Sequence, residues 1–167
     1  MKREIMSTKR YEEVLDLLEN DENAFEKLSD SEVIEISRDG YAMTIAAATN
    51  INNLQYLSTQ LKQDKGYMYN LIKDVNPLAM VYCYKSWFNN KHFVENVRSV
   101  ALEDAKRYNS HELERLYNDL IDQQVIKAKL VPETKLVQRA TKIHKTHLDY
   151  MFQRIENFHS SLQLFTS

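Results

Sequence analysis

Glycine and proline, the residues that most readily interrupt a helix, occur only twice each in 167 residues. Long apolar-periodic stretches therefore run unbroken, and the chain reads as all-α. Cysteine is nearly missing too. Cys83 stands alone, which excludes an intramolecular disulfide and makes a reducing compartment the simplest setting. Its neighbours Tyr82, Tyr84 and Trp87 suggest a packed thiol. No run approaches the roughly 18 apolar residues of a membrane span, and Met1 to Arg10 is polar without a signal-peptide core. A cytoplasmic protein is expected, with export by a specialised secretion machine left open. Nucleophile elbow, phosphate loop, metal-ligand cluster and nucleic-acid signature are all missing, so no cofactor is expected.

What is present is enough for one domain, residues 1–167, with a core that needs no staples. The net charge of −2 hides an asymmetry. Tyr11 to Asp39 carries eleven acids against Lys27 and Arg38, whereas Gln124 to Arg154 carries seven bases against Glu133 and Asp149. Two solvated faces, or two chain ends lying near each other, account for this. So does a basic stripe that meets an acidic partner or a phosphate backbone.

Ser7 or Thr8 caps a first helix with Tyr11, Val14, Leu15 and Leu18 on one face, ending near Asn20. A short helix carries Ala24, Phe25 and Leu28. Ser29 and Glu32 form a capping box for a third, with Val33, Ile34 and Ile36 as core positions, and Gly40 ends it in the left-handed region. Ala42 to Ala48 is small and apolar on nearly every side, the mark of a helix buried among close neighbours. Asn50 or Asn52 caps a helix with the stripe Leu54, Leu57 and Leu61, closed by Gly66, and a short helix spans Tyr67 to Lys73. Asn76-Pro77 opens another over Leu78 to Phe88, closed by Asn89-Asn90. Phe93, Val97, Ala101 and Ala105 mark a helix to about Tyr108. Ser110 caps the next, through Leu113, Leu116, Leu120 and Ile126.

Pro132 begins a final helix of up to about 30 residues, near 45 Å at about 1.5 Å per residue. Its seam is Val137, Ala140, His144, Leu148, Met151, Ile155, Phe158, Leu162 and Phe165. Such a seam needs a partner: the rest of the chain, another protein, or a second copy in a homo-oligomer. Leu136, Ile143 and Tyr150 widen it toward a helix packed on a globular core. The expected architecture is about eight helices as stacked antiparallel pairs with a long C-terminal helix over 132–165.

Two places share a further pattern. Asp39-Gly40-Tyr41, then Ile45-Ala46-Ala47-Ala48 and Asn53-Leu54-Gln55-Tyr56-Leu57, resembles the turn, alanine-rich inner helix and outer-helix start of an ankyrin-type repeat. Asn76-Pro77-Leu78-Ala79 is similar to the opening of a second unit. The likeness covers about residues 39–88, and its step from Ala42 to Ala79 is longer than that family's period of about 33 residues. It implies a stacked-helix scaffold that binds proteins and has no catalysis of its own.

His144 and His147 stand three apart and could share a metal with a third ligand, but no carboxylate lies at a familiar ligand spacing. One seam histidine and one exposed histidine is the simpler account. Tyr84, Trp87 and Phe88 concentrate aromatic side chains, with Tyr84 and Phe88 on one helix face. They pack a core or anchor a contact. Lys135, Arg139 and Lys142 recur at four and three and line one ridge of the last helix. These six residues are the candidate partner-binding set. The expected function is a non-catalytic protein–protein interaction module, an adaptor, inhibitor or effector, and the Asn-, Lys- and Tyr-rich composition fits an AT-rich coding source such as a bacterium or its phage. A helical enzyme whose site assembles only in the fold is the alternative, as is weak nucleic-acid binding through the basic ridge, against which the sequence pI near 6.2 argues. A large pocket holding a histidine beside a carboxylate favours the enzyme, and a flat or grooved surface favours the binder.

Overall fold

The computed structural model describes residues 6–126 and 132–146. Every regular element among the described residues is helical. α1 (Thr8–Asn20), α2 (Asp30–Ser37), α3 (Gly40–Thr49), α4 (Thr59–Lys62) and α5 (Lys65–Asn70) make the first half. α6 (Lys91–Arg107), α7 (His111–Ile126) and α8 (Glu133–Lys145) make the second. Short 3-10 turns at Ala24–Lys27, Ile51–Tyr56, Pro77–Tyr82 and Lys85–Asn89, and a π-helical turn at Leu71–Val75, join them. The part of the expected long C-terminal helix beyond Thr146, with His147 and the seam from Leu148 onward, lies outside the described residues.

Local capping chemistry sets most boundaries. Ser7 accepts from Arg10 N at 3.1 Å, and the Ser29–Glu32 capping box forms in full. Asn76 Oδ1 accepts from Leu78 N at 2.9 Å with Pro77 in the first turn, and Ser110 Oγ accepts from Leu113 N at 3.0 Å. α3 is the centre of the first half. All seven residues from Ala42 to Ala48 are buried, because α1, α2, the 51–56 turn and the 71–75 turn all pack against it. Its polar groups are satisfied inside this sheath: Thr44 Oγ1 donates to Gly40 O at 2.6 Å, and Asn53 Nδ2 donates to Ala46 O at 3.0 Å.

Four expectations change. Gly40 does not end α2; Asp39 caps α3 and Gly40 is its first residue. Gly66 lies within α5, and neither glycine has a positive φ. The left-handed position belongs to Asn109 (φ 48°), where Asn109 N reaches Lys106 O at 3.0 Å and Ser110 N reaches Ala105 O at 3.1 Å. That is a Schellman end to α6, which turns the chain into an αα-hairpin with α7. Second, Ile34 is 52% exposed. Ile34 and Ile36 are two positions apart, about 200° around a helix, so only one can face inward, and Ile36 does. Third, the stripe Leu54, Leu57, Leu61 is not one helix: Ser58 and Asp64 cap separate short helices by accepting from Leu61 N and Tyr67 N. Fourth, Leu78 to Phe88 splits into two 3-10 turns with extended backbone at Cys83. Residues Pro77 to Val81 are all buried, more than a single helical face can bury.

Gly40 is required for a different reason from the one anticipated. A Cβ there would sit 3.1 Å from the Tyr67 ring, whose hydroxyl donates to Gly40 O at 2.8 Å. That hydrogen bond keeps the ring from retreating. At Gly66 an added Cβ meets only Asp64 Oδ1, at 3.5 Å. Gly40→Ala is therefore expected to destabilise the protein by about 1 kcal/mol despite alanine's better helix propensity. Gly66→Ala is expected to stabilise it by about 0.5 kcal/mol. Urea unfolding of both variants checks the opposite signs.

Candidate functional site

α8 separates its residues cleanly by face. Leu136, Val137, Ala140 and His144 are buried, mostly against α7, while Lys135, Arg139 and Lys142 are exposed on the other side. None of these three cations forms an ion pair with an acid among the described residues. Glu133 in the first turn and Lys142 and Lys145 in the last complement the helix dipole. Lys145 reaches Glu22 at 3.3 Å, so the acidic N-terminal segment and the basic end of α8 do meet. Both side chains are more than half exposed, and the pair contributes little.

The aromatic candidates divide. Phe88 is 3% exposed and packs edge-on against Phe93 at 5.3 Å, so it belongs to the core rather than to a contact surface. Tyr84 is 50% exposed and lies in the break between the two 3-10 turns, so it does not share a helix face with Phe88. Trp87 is half-buried between them, 6.2 Å from Tyr84 and 5.8 Å edge-on to Phe93. Of the three rings, Tyr84 is thus exposed, Trp87 half-buried and Phe88 buried. Beside Tyr84 a shallow depression of about 400 Å3 is bordered by Lys62, Tyr82 and Lys85. Lys85 Nζ donates to Gln124 Oε1, and Gln124 Nε2 donates to Glu133 Oε2 at 2.8 Å. This chain of polar contacts ties the aromatic segment through α7 to the start of α8. Cys83 is buried as expected, and burial pushes its thiol up to about 12.

A cluster that sequence reasoning missed lies under α8. Tyr117 of α7 donates its hydroxyl proton to Asp104 Oδ2 of α6, and the Tyr117 hydroxyl oxygen also stands 2.6 Å from His144 Nε2. All three residues are at most 3% exposed. A phenol has one proton to give. With the carboxylate accepting it, the contact to His144 requires Nε2–H as donor, which leaves Nδ1 as the bare nitrogen. The Tyr108 ring lies 5.1 Å from the imidazole, against which it is tilted. Burial lowers His144 to about 4 and raises Tyr117 well above the ordinary phenol range, so both are neutral at pH 7. Asp104 Oδ2, 3.5 Å from Nε2, favours the charged imidazole, and burial outweighs it. One signal was available: Val97, Ala101, Asp104 and Tyr108 recur at four, three and four, placing a carboxylate on the buried face of α6 just as His144 sits in the α8 seam.

His144 also lines a cleft of about 480 Å3 between α8 and the end of α3, with Asn50, Ile51, Asn76, Val137 and Thr141 among its walls. Asp104 and Tyr117 do not reach it. The cleft therefore holds a histidine whose carboxylate faces the interior. No group of three or more metal-ligating side chains exists among the described residues, and no helix there is long and apolar enough to cross a membrane. Compared with family models, curated proteins and solved structures, the chain matches none.

The cluster makes stability depend on pH. His144 has a folded pKa of about 4, below the roughly 6.5 of an unfolded histidine. The unfolded chain binds the proton first, so the stabilisation is complete above about pH 6.5 and is lost as pH falls toward 4, by up to about 3 kcal/mol. Denaturant unfolding across this range, with His144→Gln flattening the slope, checks it. Tyr117→Phe removes the shared hydroxyl and is expected to cost about 1–3 kcal/mol at pH 7.

Proposed function

We propose that this chain is a non-catalytic protein–protein interaction module, an adaptor, inhibitor or effector whose helical scaffold presents the outer face of α8 and the Tyr84–Trp87 edge to a partner. The observation that carries the reading is the row Lys135, Arg139 and Lys142, exposed and without an acid to pair with among the described residues. Such a row attracts an acidic surface, steers encounter and rejects basic competitors. Tyr84 beside the row of rings gives an amphipathic anchor of the kind that binding surfaces favour. The ankyrin-type resemblance of residues 39–88 supports the same class of function. It falls on α3 with the 51–56 turn, and on the paired turns at 77–82 and 85–89.

One observation favours the enzyme alternative: His144 at the cleft, 3.5 Å from Asp104. A base lowered to about 4 is a weak proton acceptor at neutral pH, and Asp104 does not reach the cleft. The interaction reading is therefore the stronger of the two.

Affinity capture with the wild-type chain and with the Lys135→Glu, Arg139→Glu, Lys142→Glu triple variant tests it. The partner is expected to be acidic, to be released by high salt, and to be lost on the triple change, with Tyr84→Ala weakening capture and neither variant shifting stability by more than about 0.5 kcal/mol. Unchanged capture by the triple variant overturns the assignment to α8. A low-salt gel shift that disappears with the same variant would turn the reading toward nucleic acid. Turnover abolished by His144→Gln would turn it toward the enzyme.

A further inference from the structure

α1 and α8 carry matching rows of opposite charge. On α1, Glu12, Asp16 and Glu19 follow steps of four and three, all exposed and opposite the buried Val14 and Leu18. On α8, Lys135, Arg139 and Lys142 follow the same steps, all exposed and opposite Val137, Ala140 and His144. Each row covers about 10 Å at about 1.5 Å per residue and lies within about 60° of arc. Neither row is paired with charges among the described residues. α1 packs on α3, α8 packs on α7, and none of the six side chains forms an ion pair with another described residue. Asp16 only accepts from Asn20 of its own helix.

We infer that the acidic partner of the α8 ridge is the α1 face of a second copy of this chain. This inference rests on the interaction reading above and names its partner. With α1 of one copy laid beside α8 of the next in the same direction, Glu12 meets Lys135, Asp16 meets Arg139 and Glu19 meets Lys142 in one register. A one-residue shift moves each side chain about 100° around its helix and breaks all three pairs together. The complementarity thus sets alignment as well as attraction. Because the patch on one copy differs from the patch on the other, the contact is heterologous, and copies add head to tail or close into a ring. Exposed ion pairs are individually weak. The association is accordingly reversible, concentration-dependent and strongest at low ionic strength, dissolving as the Debye length shrinks from about 10 Å at 0.1 M salt to about 3 Å at 1 M.

Sedimentation velocity on the purified full chain, across a concentration series at low and high salt, is the test. The wild type is expected to sediment faster with rising concentration at low salt and as a monomer at about 1 M salt. Lys135→Glu, Arg139→Glu, Lys142→Glu is expected to stay monomeric throughout, as is Glu12→Lys, Asp16→Lys, Glu19→Lys. The six-fold variant with both rows exchanged is expected to associate again, which no loss of folding can imitate. A wild type that is monomeric at low salt and high concentration overturns the inference, as does a six-fold variant that stays monomeric when the wild type associates. A monomeric wild type that still captures a different acidic protein through α8 sinks the second-copy assignment alone and leaves the interaction reading standing.

Discussion

The first half of the molecule depends on the middle of α3, seven residues with no solvent-facing side. Ala42 to Ala48 of α3 are all buried, four of them alanines, so backbones can approach from every direction. Small side chains make that possible, and they also forbid leaving any polar group behind. Thr44 therefore closes back on Gly40 O, and Asn53 takes the Ala46 carbonyl. Two further bonds, Thr49 Oγ1 to Glu19 O at 3.2 Å and Asn50 Nδ2 to Glu22 O at 3.1 Å, fasten the end of α3 to the end of α1. Those contacts orient α1, and with it the acidic row that faces solvent.

Capping chemistry was readable because it is local. Ser7, Ser29, Asn76 and Ser110 each satisfy an amide within three positions, so the pattern sits inside one short stretch of sequence. The glycines were misread because their reason lies elsewhere. Nothing near Gly40 announces that Tyr67, 27 positions on, needs the space where a Cβ would be. Asn109 took the left-handed turn expected of a glycine, since its short polar side chain tolerates that conformation. The break at Cys83 has the same distant origin, because burial of Pro77 to Val81 on several sides ends the regular helix there and periodicity records only one side, whereas Ser58 breaks the leucine stripe through a local cap.

The candidate site divides along the same line. The basic row on α8 was legible from spacing alone, for a solvent-facing stripe needs no partner to define it. Phe88 was grouped with Tyr84 on one helix face, as core packing or as a contact, on the assumption of one continuous helix, and the break between two 3-10 turns parts them and leaves Phe88 in the core. Asp104, Tyr117 and His144 come from three helices, and only their positions on buried faces hinted at a meeting.

That buried cluster explains why the exposed row points where it does. Leu136, Val137 and Ala140 hold α8 through apolar contacts that specify no direction. Turning the helix by one residue, about 100°, could keep some of that burial while carrying Lys135, Arg139 and Lys142 off the outer face. It could not keep the hydrogen bonds. His144 is fixed on Tyr117 at 2.6 Å near one end of α8, and Glu133 on Gln124 at 2.8 Å at the other. A misrotated helix would take the hydrogen-bond partners from a buried imidazole and a buried amide, His144 and Gln124, a cost that opposes the rotation. Two polar contacts, one buried and one partly buried, thus fix the rotation of α8, and the rotation of α8 fixes which charges a partner meets.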